Sequence, residues 1–218
     1  MDMTNIAYSP EYRALRHQAD ERGAGVLPGT PEHLVLGDGF TADRYSHPGT
    51  NCTTTVVFDG DAKEAYRWTN VDDDAEFVTL VNHSGGRTYL VFRVDLYGYG
   101  VAHLATGRDF FYVPKGPETF IWTAIHYTPV TDVLAVEGCF WACPFGLHLV
   151  DFRDPMVESK WVDVIDLLEG DYDRYDDVTF VEWDAGTLVV DAGRIVDKAR
   201  VVPERLRLES DACLARLR

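Results

Sequence analysis

Thr119–Pro155, TFIWTAIHYTPVTDVLAVEGCFWACPFGLHLVDFRDP, decides the fold class of this chain. Ile121–His126, Val133–Val136 and Leu147–Phe152 are short apolar or β-branched runs, and a polar turn separates the first two. Runs of this length bounded by Pro, Gly and Asp read as strands joined by tight connections. The stretch therefore predicts strand, turn, strand, strand. It also carries two of the four cysteines and two of the five tryptophans, so the search for a site starts here as well.

The same rhythm extends in both directions. Thr53–Phe58 and Ala65–Val71 flank Asp59-Gly60-Asp61 as a hairpin, and Phe77–Asn82 meets the turn His83-Ser84-Gly85-Gly86. Thr88–Val94, Gly98–Leu104 and Phe110–Val113 follow, then, beyond the central stretch, Val178–Trp183 and Thr187–Val190 around Asp184-Ala185-Gly186. Aligned, FVTLVNHSGGRTYLVFRVD (77–95), WTAIHYTPVTDVLAVEG (122–138) and VTFVEWDAGTLVVDAG (178–193) each give a strand, a polar turn and an apolar strand. Such spacing is that of four-stranded propeller blades. The expectation is an all-β chain, propeller-like or an incomplete propeller of about four antiparallel blades, with a β-sandwich as the alternative. Ser9-Pro10-Glu11 offers a cap, an N-terminal proline and a first-turn acid, which predicts one helix with Tyr12, Leu15 and Ala19 on a single stripe, ending at Gly23 and Gly25. We expect a single domain over 1–218: helix and strap to residue 50, blades over 51–200, and a tail over 201–218 that closes with a short helix.

Composition narrows the function classes. A net charge of −16 repels phosphates and anionic lipid, so neither nucleic acid nor membrane is an expected partner. The N-terminus has no basic segment followed by an apolar one, and no run reaches the length of a membrane span, so a cytoplasmic location is expected. Cys52, Cys139, Cys143 and Cys213 are too few for a disulfide scaffold and read as free thiols. The acidic runs Asp72-Asp73-Asp74 with Glu76, and Asp171, Asp173, Asp176 and Asp177, could offer oxygen ligands to Ca²⁺, but lack the glycine and terminal glutamate of an EF-hand and read as solvated loops. Among the serines none stands in a Gly-x-Ser-x-Gly elbow, and Gly23-x-Gly25 follows a helix where a phosphate loop would follow a strand.

Gly138-Cys139-Phe140-Trp141 is similar to the active-site string of A-type methionine sulfoxide reductases, in which a thiolate is held at a helix start between aromatic rings. The position three residues after the tryptophan, a glutamate in that family, is Pro144 here, and no amphipathic helix follows. Cys139 and Cys143 remain candidates for a reactive thiol, with His126 or His148 on neighbouring strands as assistants. The alternatives are half of a metal site and two small buried residues beside a bulge. The full string Gly138–Pro144, followed by Asp151–Pro155, resembles small uncharacterised bacterial proteins of propeller-like, WD40-like pattern, although the Trp-Asp dipeptide is absent at the places where that pattern expects it. That resemblance implies a fold and no activity. Trp122, Tyr127 and Trp141 are the binding candidates within the aromatic-rich zone. The expected function is thus a binding or scaffold module for an unknown protein or small molecule, without cofactor or metal, and homo-oligomeric if sheet edges stay open. A thiol or metal enzyme using Cys139 and Cys143 is the alternative.

Overall fold

The computed structural model describes residues 4–71, 77–141, 143–168, 174–197 and 200–217. It is all-β, with four antiparallel sheets that follow one another along the chain. The first joins β1 (Glu32–Gly37), β2 (Phe40–Ser46), β3 (Cys52–Phe58) and β4 (Glu64–Val71). The second joins β5 (Val78–His83), β6 (Arg87–Val94), β7 (Gly98–His103) and β8 (Arg108–Tyr112). The third joins β9 (Ile121–Thr128), β10 (Val133–Cys139), β11 (Phe145–Asp151) and β12 (Trp161–Asp163). The fourth holds β13 (Tyr175–Asp184), β14 (Thr187–Asp197) and β15 (Arg200–Leu208). Each is a meander in chain order. The central stretch 119–155 supplies three strands of the third sheet, as its pattern predicts.

Two boundaries differ from expectation. The strap expected over 1–50 contains β1 and β2, turned by Asp38 and Gly39, both at positive φ (51° and 79°). That is the two-residue Asp-Gly turn whose twist suits a hairpin. The first half of the tail expected over 201–218 belongs to β15, which pairs with β14 from Leu188↔Leu208 to Asp197↔Arg200. Its leucines at 206 and 208 follow the strand period, and only Ser210–Leu217 is the closing helix, α2. The acidic run 72–76, and Asp171 and Asp173, lie outside the described residues.

The chain divides into two compact units, Met1–Val81 with Arg87–Thr119 and Asn82–Gly86 with Phe120–Arg218. In the first, helix α1 (Pro10–Ala24) is capped by Ser9, whose Oγ accepts the Tyr12 N–H at 3.1 Å. Tyr12, Ala19 and Gly23 form its buried stripe, whereas Leu15 faces solvent. Gly23 is required by contact: a β-carbon there would stand 1.9 Å from Thr69 Oγ1, so only glycine lets the helix approach β4 this closely. The first unit's core is Ala42, Val57, Trp68, Leu90, Phe92 and Ala102. In the second, Val133, Ala135, Leu147 and Leu149 on one face of the third sheet pack with Leu188 and Val190 of β14, with α2 adding Leu214 and Leu217. No described helix is long and apolar enough to cross a membrane.

Candidate functional site

The pairing of β9, β10 and β11 places the candidates named from the sequence. Cys139 ends β10, opposite Ile121 on β9 and Phe145 on β11. His126 lies opposite Ala135, so it is four residues, about 13 Å, along the strands from Cys139. Its Nε2 is 2.6 Å from Glu137 Oε1, its ring stacks on Phe180 at 3.7 Å, and its carbonyl accepts the Trp183 indole N–H at 2.9 Å. This residue ties the third sheet to β13; it does not address a thiol. Tyr127 donates to Asp132 and accepts the Ser84 N–H at 2.9 Å, joining two turns, and its hydroxyl is pushed up to about 12 by burial and by the bond to Asp132. Trp122 is buried.

The two cysteines meet different fates. Cys139 is half-buried and Cys143 exposed, both free thiols, in a turn closed by the Cys143 N–H on the Phe140 carbonyl at 3.0 Å. Trp141 stands out from this turn with 78% of its surface exposed and takes no part in the wall of the adjoining cavity. Cys52 and Cys213 are buried, and burial pushes the Cys213 thiol up to about 11. Among the described residues no group of three or more His, Cys, Asp or Glu side chains could hold a metal ion.

The turn 138–144 forms one side of a cavity of about 380 Å³, within the range of small-molecule pockets. Phe120, Phe140, Phe145 and Tyr175 supply aromatic wall, and Cys143 and Pro144 part of the rim. Among the described residues of the lining the charged groups are Asp163, Asp176 and Asp177, and no lysine or arginine is present. Two features of backbone shape it. Gly138 sits where a β-carbon would come within 2.3 Å of the Ile121 carbonyl and 2.8 Å of the Phe120 ring, so its lack of a side chain lets that ring lie against the sheet. On β13 the pairing slips from Tyr175↔Arg194 to Val178↔Ala192, a bulge that gives β13 one extra residue and presents Asp176 and Asp177.

Behind the wall, His148 is sandwiched between Phe120 (3.6 Å, 15°) and Trp161 (4.5 Å, 8°) and is 3% exposed. Burial holds its pKa down at about 4, so the ring is neutral at pH 7. Its Nε2 has no hydrogen-bond partner and lies 3.8 Å from Asp163 Oδ2, beyond bonding reach. Asp163 Oδ1 meanwhile accepts the Ile165 N–H at 3.1 Å, capping the short 3₁₀ turn Val164–Leu167.

The first unit has a larger crevice, about 640 Å³, where α1 docks on β4. Its charged groups pair with one another, while the buried Trp68 Nε1 has no hydrogen-bond partner. Asp95, buried and at φ 52°, accepts from Tyr12 Oη (2.5 Å), Arg16 Nη1 (2.7 Å) and the Val71 N–H (2.7 Å). Burial pushes the Asp95 carboxyl up while Arg16, Tyr12 and Val71 pull it down. Arg67 is engaged by Glu64 and the Gly23 carbonyl, and Tyr66 by Asp109. Its size notwithstanding, this crevice is a docking seam for the helix.

Sequence reasoning finds the turn that borders the second-unit cavity and misses most of its wall. Phe120 and Asp163 carry no local signal, and Asp176-Asp177 shows only as loop charge until the β14 register reveals the bulge.

No protein-family model matches the chain. Over 93 residues, 42% of its length, it is 31% identical to an uncharacterised protein of Acanthamoeba polyphaga mimivirus. The match spans about a third (31%) of the length of that viral relative. The similarity is to a protein without an assigned activity, so the site carries the functional argument.

Proposed function

We propose that this chain is a binding module without catalysis of its own, and that its ligand enters the cavity beside Gly138–Pro144. The observation that carries this reading is the make-up of that cavity: an aromatic wall with a few polar groups and, among the described residues of its lining, no nucleophile paired with a base. Among the described residues of the lining Cys143 is the one thiol, and the charged groups there are carboxylates, with no histidine beside it to act as a base. His126, the assistant expected from the sequence, is engaged with Glu137 away from both cysteines. The thiol-enzyme alternative therefore has no geometric support, and the bacterial family suggested by the Gly138–Pro144 string stays a proposal resting on that string alone.

The propeller-like reading is likewise a proposal, supported by four consecutive meanders of blade form. Homo-oligomer formation would be read by sedimentation, and the binding role by a ligand screen. Alkylating Cys143 in native protein with iodoacetamide should abolish the thermal stabilisation given by every hit that binds the cavity. Hits that survive alkylation unchanged would place binding elsewhere.

A further inference from the structure

Resting on the reading of this cavity as a binding site, we infer that its ligand is a small organic cation, an alkylammonium or guanidinium group. Four observations lead there. The wall includes Phe120, Phe140, Phe145 and Tyr175, and aromatic rings attract cations through their quadrupole. Three acids of the described lining, Asp163, Asp176 and Asp177, come from two separate elements, β12 and the β13 bulge. No basic side chain stands among the described residues of the lining, and the whole chain carries −16, so its field concentrates cations and depletes anions. Finally, the neighbouring His148 is neutral and only 3% exposed, so it brings no positive charge to the Asp163 carboxylate 3.8 Å away.

The contrast with a nucleotide or carboxylate site is chemical. An anion would meet three carboxylates with no cation in the lining to offset them, and would have to give up its hydration for that. A neutral apolar ligand would bury the aromatic wall but bring no charge to the three acids. A compact cation with an alkyl body satisfies both: its hydrocarbon covers the rings and its charge faces the acids.

The test compares ligands that differ only in charge. Choline and 3,3-dimethyl-1-butanol share a shape, one with a quaternary nitrogen and one with a quaternary carbon. Agmatine supplies the guanidinium, and an acetylated, amidated tripeptide with a central arginine tells a free cation from a side chain. Titrations followed by calorimetry should give saturable binding of choline or agmatine, about tenfold tighter than the neutral isostere or better. Asp163→Asn and Asp176→Asn should each weaken it about tenfold. In the first of these the side-chain amide oxygen can still cap Ile165, so the melting temperature should hold. Phe140→Leu should weaken binding by a few-fold while keeping apolar volume. Equal or tighter binding of the neutral isostere, or saturable binding of an anionic analogue such as isovalerate, would overturn the cation inference and leave the binding module standing. If no probe of any charge binds or protects Cys143 from alkylation, both readings fall together.

Discussion

The first unit's crevice and the second unit's cavity are made from the same materials, aromatic rings and carboxylates beside a sheet, yet their polar groups are arranged differently. Around Asp95 the strong groups find one another within the unit: Tyr12, Arg16 and a backbone N–H converge on a single buried carboxylate. The second unit's cavity sets three carboxylates in a lining that, among the described residues, holds no lysine or arginine. Size is therefore a poor guide to a site. The larger concavity reads as a joint because its charges neutralise one another, and the smaller is the one proposed as a site because the described part of its lining holds charge of one sign.

This contrast is tested most severely at Asp95. Asp95→Ala would leave Arg16 only its exposed partner Asp20, leave the buried Tyr12 hydroxyl and the Val71 N–H unmatched, and place an alanine at φ 52°. A loss of about 3 kcal/mol in urea unfolding is expected, with cation binding in the second unit unchanged. A stability change under about 1 kcal/mol would show that the network is not a clamp.

His148 gives the pH counterpart in the second unit. Its pKa is about 4 when folded, against a usual 6.5 when unfolded, so between those values the unfolded state binds more protons. Its contribution is intact above pH 6.5 and is lost as pH falls toward 4, on the order of 3 kcal/mol in all. The check is urea unfolding of the native protein and of His148→Phe from pH 7 to pH 4. The variant should lose that part of the slope, and an unchanged slope would contradict the buried neutral ring. Gly138→Ala comes next, because the added carbon meets the Ile121 carbonyl and the Phe120 ring. A cost of about 2 kcal/mol is expected, together with weakened choline binding as the ring is displaced. Smallest in stability is Asp163→Asn, within about 0.5 kcal/mol, although it should change affinity about tenfold. That separation of affinity from stability is what distinguishes a site from a joint.

Much of the fold is legible in the sequence, and less of the site. β3 to β11 follow from short apolar runs punctuated by Asp, Gly and Pro, and Ala185-Gly186 turns β13 into β14 with both residues at positive φ, as its turn residues suggest. β1 and β2 carry a usable signal in Asp38-Gly39, which a strap over the first 50 residues overlooks. β15 is obscured because Leu206, Cys213 and Leu217 also fit a helical spacing, and only pairing with β14 settles the period. His126 shows the limit for the site. Its strand can be read, but its distance from Cys139 depends on the β9–β10 register, which local pattern does not contain. The same holds for Asp176 and Asp177, whose presentation depends on a slip in the pairing of β13 with β14.

The most direct measurement uses the thiol that lines the cavity. In a Cys139→Ser variant, Cys143 is the exposed cysteine while Cys52 and Cys213 stay buried, so the rate of reaction with Ellman's reagent reports access to this one place. Choline or agmatine should slow that reaction saturably, with a midpoint equal to the calorimetric Kd, and Asp163→Asn should shift both together. A reaction rate that stays constant up to saturating cation would contradict the assignment of this cavity as the binding site.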